Sequence, residues 1–205
     1  MKNIAGVILL LSFACFACGQ EVSRFEIFGG YSYADRLQLP LAASSSNNGW
    51  EAAFKYNLTS RLGLVAAVDG RAGTDFRSTQ LADGTAVFLR RPVSTYSFLF
   101  GPEVNVYRYR RVSINLRALA GFVHADDSNA NVSVFSTNPL PNFIATRTFV
   151  NNTFSMAAGG NLDIRLKGGL SLRAIQPEMQ LTRINGGSQP NFRIATGLVY
   201  SFGKR

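Results

Sequence analysis

The chain has 205 residues, a formal net charge of +9 and two cysteines, Cys15 and Cys18. Nothing after Gly19 supplies the roughly 20 consecutive apolar residues that a membrane-spanning helix needs, and no helical periodicity stands elsewhere. A helical membrane protein and a cysteine-held metal are excluded, and an all-β chain rich in glycine and aromatic residues remains.

Met1-Lys2-Asn3 is a short basic start, Ile4 to Ala17 is apolar, and Ala17-Cys18-Gly19 offers small residues for cleavage. Residues 1–19 read as a secretory signal peptide, and residues 20–205 as one domain without cysteine. Acylation of Cys15 or Cys18 is the alternative; Phe13 or Phe16 at the −2 position and the lack of Leu at −3 argue against it.

Eight segments then alternate two residues at a time, the period of a β-strand. Strand one, Arg24 to Ala34, sets Phe25, Ile27, Gly29, Tyr31 and Tyr33 on one face against Arg24, Glu26, Phe28, Gly30 and Ser32. After a loop from Asp35 to Asn48, strand two sets Trp50, Ala52, Phe54 and Tyr56 against Glu51, Ala53 and Lys55. A tight turn, Asn57 to Arg61, leads to strand three, with Leu62, Leu64, Ala66 and Val68 against Val65, Ala67, Asp69 and Arg71. A long loop is expected from Gly73 to Ser94.

Strand four sets Tyr96, Phe98, Phe100 and Val104 against Ser97, Leu99, Gly101 and Glu103, and a basic turn spans Tyr107 to Arg111. Strand five sets Val112, Ile114, Leu116, Ala118, Ala120 and Phe122 against Ser113, Asn115, Arg117 and Leu119. The longest loop is expected from His124 to Asn151. Its apolar part, Val132 to Val150, reads as the upper reach of strands five and six or as an adhesive patch. Strand six sets Phe154, Met156, Ala158, Leu162 and Ile164 against Ser155, Ala157, Asn161, Asp163 and Arg165, and a tight turn covers Leu166 to Gly168. In strand seven Leu170 and Leu172 oppose Ser171 and Arg173, but the phase slips before Met179 and Leu181, which predicts a β-bulge over Ile175 to Pro177. A short loop, Ile184 to Ser188, precedes Asn191 to Phe202, whose Phe192, Ile194, Thr196, Leu198, Tyr200 and Phe202 share one face.

The uncharged face decides the architecture. The charged residues fall on the other face: Glu26, Glu51, Lys55, Asp69, Arg71, Glu103, Arg117, Asp163, Arg165, Arg173, Glu178 and Arg193. A soluble eight-stranded barrel has the opposite polarity. Connections that alternate long and short, and aromatics at both strand ends, predict an eight-stranded antiparallel up-and-down transmembrane β-barrel. The expected location is the cell outer membrane of a Gram-negative envelope, with outer membrane lipids as the expected surroundings. The secreted lipocalin-like barrel is the alternative architecture.

The chain resembles the small eight-stranded outer membrane barrels, the OmpA/OmpX-like family, over its whole mature length. The matching stretches are FGGYSY from Phe28, MAAGGNLDIRL from Met156 and the closing VYSF. The resemblance implies that a terminal aromatic is read by the barrel-assembly machinery, a role that would fall to Phe202, with Tyr200 two residues earlier.

An eight-stranded barrel is just wide enough for its own side chains. Inward Gly30, Gly63, Gly101, Gly121, Gly159 and Gly197 leave room for long charged residues, and register puts Asp163 by Arg173 and Glu103 by Arg117. A paired polar interior is therefore expected rather than an open pore; a solvated, loosely paired lining, as in a narrow porin, is the alternative. The turn end gathers Arg61, Arg108, Arg110, Arg111, Lys167, Lys204 and Arg205, a basic rim suited to anionic headgroups. Nucleic acid is not expected, since aromatics do not interleave with that charge on a solvent face. His124 with Asp126, Asp127 and Ser128 is the sole candidate for a lipid A-modifying site, and no second motif accompanies it. No catalytic residue, cofactor or metal is assigned, and any extracellular ligand is unknown.

Overall fold

A computed structural model describes residues 23–36, 46–80, 86–135, 146–184 and 187–203, with side chains over 23–34, 48–73, 94–124, 152–183, 188 and 190–203. The expected signal peptide and the C-terminal Lys204 and Arg205 lie outside the described residues.

Eight strands follow one another: β1 (Phe25–Arg36), β2 (Ser46–Asn57), β3 (Leu62–Gln80), β4 (Ala86–Tyr109), β5 (Val112–Phe135), β6 (Thr146–Arg165), β7 (Leu170–Ile184) and β8 (Gly187–Phe202). Each pairs antiparallel with its sequence neighbours, and β8 returns to β1 to close the barrel. The closing seam runs from Phe25 opposite Phe202 to Arg36 opposite Asn191. Closure gives the backbone of these strands internal partners, the condition that hydrocarbon imposes.

Period 2 sorts the side chains as the sequence implies. Phe28, Ser32, Glu51, Lys55, Val65, Asp69, Leu99, Glu103 and Arg117 are buried inside, while Ile27, Tyr31, Phe54, Phe98, Phe100, Leu116 and Leu198 are exposed outside. Across the middle of the strands the outer face is uncharged; Arg183, near the loop end of β7, is exposed. A layer of Phe28, Ala53, Val65, Ala67, Leu99, Leu119, Ala157, Ala195 and Val199 packs within the barrel beside the charged residues. The polarity is inside-out relative to a soluble barrel.

Aromatic side chains ring the turn end. Phe25 lies 5.5 Å from Phe202, 5.5 Å from Tyr56 and 5.8 Å from Phe54 by ring centroids, which fastens β8 to β1 and β1 to β2. Tyr107 and Tyr109 are also exposed there, and Tyr31, Tyr33, Trp50, Tyr96 and Phe122 are exposed toward the loop end.

Several boundaries differ from the sequence reading. The expected loops over 73–94 and 124–151 are largely strand: β3 runs to Gln80, β4 starts at Ala86, β5 runs to Phe135 and β6 starts at Thr146. Beyond the apolar band neither face must be apolar, so alternation fades while backbone pairing continues. Likewise β1 reaches Arg36 and β2 begins at Ser46, inside the expected loop. The last loop-side connection is only residues 185–186, because Ile184 pairs with Gly187, so the long-and-short alternation fails there.

The bulge in β7 sits one residue upstream of its expected place. Ala174 and Ile175 together face Thr196, because pairing with β8 jumps from Arg173–Gly197 to Gln176–Ala195. Two apolar neighbours take the outer face, and polar Gln176 turns in. The Thr196 hydroxyl, opposite the bulge, donates to the carbonyl of Arg173 at 3.0 Å. A second register shift between Asn105 and Tyr107 lets β4 continue to Tyr109, so the basic turn narrows to Arg110 and Arg111.

Candidate functional site

Of the twelve charged residues expected inside, ten are buried: Glu51, Asp69, Glu103, Asp163 and Glu178 against Lys55, Arg71, Arg117, Arg173 and Arg193. Five carboxylates thus face five cations, and the interior is formally neutral. Glu26 is partly buried toward the turn end, and Arg165 is exposed at the turn-side mouth. Arg24, read as inward, instead lies over the outer aromatics, 5.6 Å from the Tyr56 ring and donating to its hydroxyl at 3.1 Å. Its position just before β1 frees it from the strand's alternation.

The centre of the lumen is a cross-barrel cluster from β2, β5, β7 and β8. Arg117 Nη2 donates to Glu51 Oε1 at 2.7 Å while its Nε donates to Glu178. Arg193 donates to Glu178 as well, and to Asp69 Oδ2 at 2.7 Å. Gln176 Nε2 reaches both Glu51 oxygens at 2.9 and 3.0 Å. Arg173 forks onto Asp163 at 2.8 and 3.0 Å, donates to Gln176 at 2.7 Å, and stacks 4.6 Å from the Phe28 ring centroid. Arg193 with Glu178 and Arg173 with Asp163 are cross-strand neighbours, but Arg117–Glu51, Gln176–Glu51 and Arg193–Asp69 join strands three apart around the sheet, and Arg117–Glu178 strands two apart. Closure brings the wider pairs together.

On the loop side Arg71 Nε donates to Asp69 at 2.7 Å and its Nη2 to Gln180 Oε1 at 2.8 Å. Gln180 in turn donates to Ser155 at 3.1 Å. On the turn side Lys55 Nζ donates to Glu103 at 2.7 Å and lies 3.6 Å from Glu26. Asn161 Nδ2 donates to Glu103 at 3.1 Å, Asn115 to Asn161 at 2.6 Å, and Asn105 to Asn115 at 2.8 Å. Register does place Glu103 opposite Arg117, but they form no ion pair; each finds a partner across the lumen instead.

The carboxylates and guanidiniums are therefore engaged as charge-assisted hydrogen bonds in a nearly dry channel. Three buried polar atoms have no partner among the described residues: Ser32 Oγ, Arg117 Nη1 and Arg193 Nε. Gly63 makes some of the room, since a Cβ there would stand 2.7 Å from Lys55 Cε, whereas one at Gly159 would meet the Pro177 carbonyl before Glu178 Cγ at 2.6 Å. At Gly101 and Gly121 the tight neighbour is backbone, the carbonyls of Ala118 and Phe98, so those glycines serve close strand approach rather than charge.

Sequence reasoning missed the neutral linkers. Asn115 and Asn161 stand at inward positions that alternation reveals, and they link Asn105 to Glu103. Gln176 becomes inward only once the bulge at Ala174 and Ile175 is placed. His124 lies beside Asn152, its Nδ1 2.7 Å from Asn152 Oδ1; the side chains of Asp126, Asp127 and Ser128 lie outside those described.

Below the network a cavity of about 220 Å³ opens at the turn end, lined by residues that include Glu26, Arg108, Arg110, Arg111, Asp163, Arg165, Ser113, Ser171 and Ser201. Arg110 carries a φ of 48°, the one non-glycine positive φ among the described residues. An L-residue there costs about 1–2 kcal/mol relative to the right-handed region. Its guanidinium lies 5.2 Å from the Tyr109 ring centroid.

No protein-family model matches the chain, and neither does any curated protein. Solved structures are similar in outline. Ail, the attachment invasion locus protein of Yersinia pestis, is 13% identical, with 87% of this chain and 99% of that chain covered at a TM-score of 0.48. Neisserial surface protein A is 12% identical, with 88% and 98% covered at 0.46. The N-terminal β-barrel domain of Pseudomonas aeruginosa OprF is 10% identical, with 88% and 100% covered at 0.40.

Proposed function

We propose that this chain is an integral barrel of the bacterial outer membrane that works at the cell surface, with a lumen closed to diffusion. The observation that carries it is the central cluster: Glu51, Arg117, Glu178 and Arg193 are 0–3% exposed and bridge the barrel from β2 to β8. A water-filled channel would leave those groups solvated. The uncharged exterior supports the membrane, because exposing Phe98, Phe100, Leu116 and Leu198 to water would forfeit their burial.

Strand length supports the surface role. β4 and β5 have 24 residues each, against 12 in β1 and β2. A tilted strand crosses hydrocarbon in about 9–11 residues, so more than half of β4 and β5 lies outside it. The loop-side reach of β3 to β6 is thus the part available to a partner. At the other end, exposed Arg24, Arg61 and Lys167 suit anionic headgroups. Tyr200 and Phe202 are the residues we assign to recognition by the assembly machinery.

Purified protein in a planar bilayer tests the closed lumen: no steady conductance is expected, and a stable ohmic conductance would overturn it. Protease shaving of intact cells, followed by a binding assay, tests the surface role. Unchanged lipid A by mass spectrometry on overexpression is expected; altered acylation would favour an enzyme built on His124.

A further inference from the structure

We infer that the turn-side mouth of the barrel is a binding site for a phosphate group, held by Arg108, Arg110, Arg111 and Arg165. The deeper carboxylates of the cavity are already engaged. Glu26 accepts from Asn57 at 2.8 Å and lies near Lys55, while Asp163 receives the fork of Arg173 at 2.8 and 3.0 Å. The lumen above is neutral, with five buried carboxylates and five buried cations, so the mouth carries the unbalanced charge. None of the four arginines has a carboxylate within 4.0 Å among the described residues, and Glu26 attracts Arg108 only from farther away.

The arrangement is built rather than diffuse. Arg108 stands opposite Ser113 on β5, and Ser113 stands opposite Asp163 on β6, so cation and hydroxyl share the inward face. The Arg165 N–H donates to the Arg111 carbonyl at 2.6 Å, which ties the β6 end to the hairpin turn. That turn holds Arg110 in the left-handed region, where glycine or asparagine would be easier. Ser113, Ser171 and Ser201 add hydroxyl donors around the same space. Planar guanidinium forks match the oxygens of a phosphate better than chloride does. A solute phosphate ester and a phospholipid headgroup share this chemistry, and the opening along the barrel axis admits either.

The test is phosphorus NMR titration of inorganic phosphate into the refolded barrel, in a phosphate-free detergent at constant ionic strength set with chloride. A saturable shift is expected. Arg108→Gln with Arg165→Gln should weaken it by about tenfold or more, while Arg183→Gln, exposed at the loop end and outside the cavity, should not. Arg165→Gln alone, at an exposed side chain, serves if the double variant fails to fold as judged by heat-modifiable mobility. In nanodiscs, competition by phosphatidylglycerol but not phosphatidylcholine identifies the source as a headgroup, and phosphate binding unaffected by either lipid identifies a solute. Absence of saturation in the parent protein, or equal weakening by Arg183→Gln, would overturn the site.

Discussion

Glu103 and Arg117 are direct cross-strand partners on β4 and β5, yet their side chains part: Glu103 takes Lys55 at 2.7 Å and Arg117 takes Glu51 at 2.7 Å. The barrel's curvature explains it. Inward side chains converge on the axis, so the opposite wall competes with the adjacent strand, and a fork on β5 reaches carboxylates on β2 and β7.

The coupling should follow the observed contacts. In a double-mutant cycle, Lys55→Met and Glu103→Gln should interact by about 1–3 kcal/mol, and Arg117→Met and Glu103→Gln by less. Unfolding in urea from detergent micelles reads both cycles. Equal couplings would show that register alone sets the pairs.

Glu178 is the most exacting position in the lumen. It is 2% exposed and accepts from both Arg117 and Arg193. Glu178→Ala should cost about 3–5 kcal/mol, since two buried guanidiniums lose their shared carboxylate. Glu26→Ala should cost far less, because Glu26 sits at the solvated mouth. Matching losses for the two would imply a lumen wet throughout.

The Thr196 hydroxyl braces the β7 bulge. Thr196→Val keeps the shape but removes the bond to the Arg173 carbonyl, and should cost about 1 kcal/mol. Amide exchange in bilayers would show faster exchange confined to residues 173–176 and 195–197. A uniform change would contradict a local role.

Phe202 joins the closing seam through Phe25 at 5.5 Å and stacks on Tyr200 of its own strand at 5.9 Å. Phe202→Ala should lose about 0.5–1.5 kcal/mol per aromatic contact and slow assembly. The check is the folded fraction by heat-modifiable mobility over time, beside Phe122→Ala at the loop end. Equal delay for both would remove any special role for the terminal aromatic.

Within the regular strands the face of a residue was legible because period 2 is a local property: Lys55, Asp69 and Arg117 could be placed inside from their neighbours alone, whereas Arg24, just before β1, could not. The partners were not, because Arg193 meets Asp69 only after eight strands have closed. Asp163 with Arg173 was readable, since a tight turn fixes their register. Gln176 was hidden by a bulge whose position depends on which of two apolar neighbours turns outward. Strand ends above the apolar band were misread as loops because pairing persists where patterning does not. The anion cavity was half visible: arginines at the turn end could be counted, but not the engagement of Glu26 by Asn57 and Lys55 that leaves them unbalanced.

The chain's single tryptophan offers the most direct measurement. Trp50 is 50% exposed on the outer face of β2, opposite Gly70, where its indole covers the space a Cβ would need. Reconstituted into bilayers of brominated phosphatidylcholines, the protein should show strong quenching of Trp50, greatest for bromines nearest the headgroups. Fluorescence indifferent to bromine at every depth, in a barrel shown to be folded, would mean that the uncharged face does not meet acyl chains.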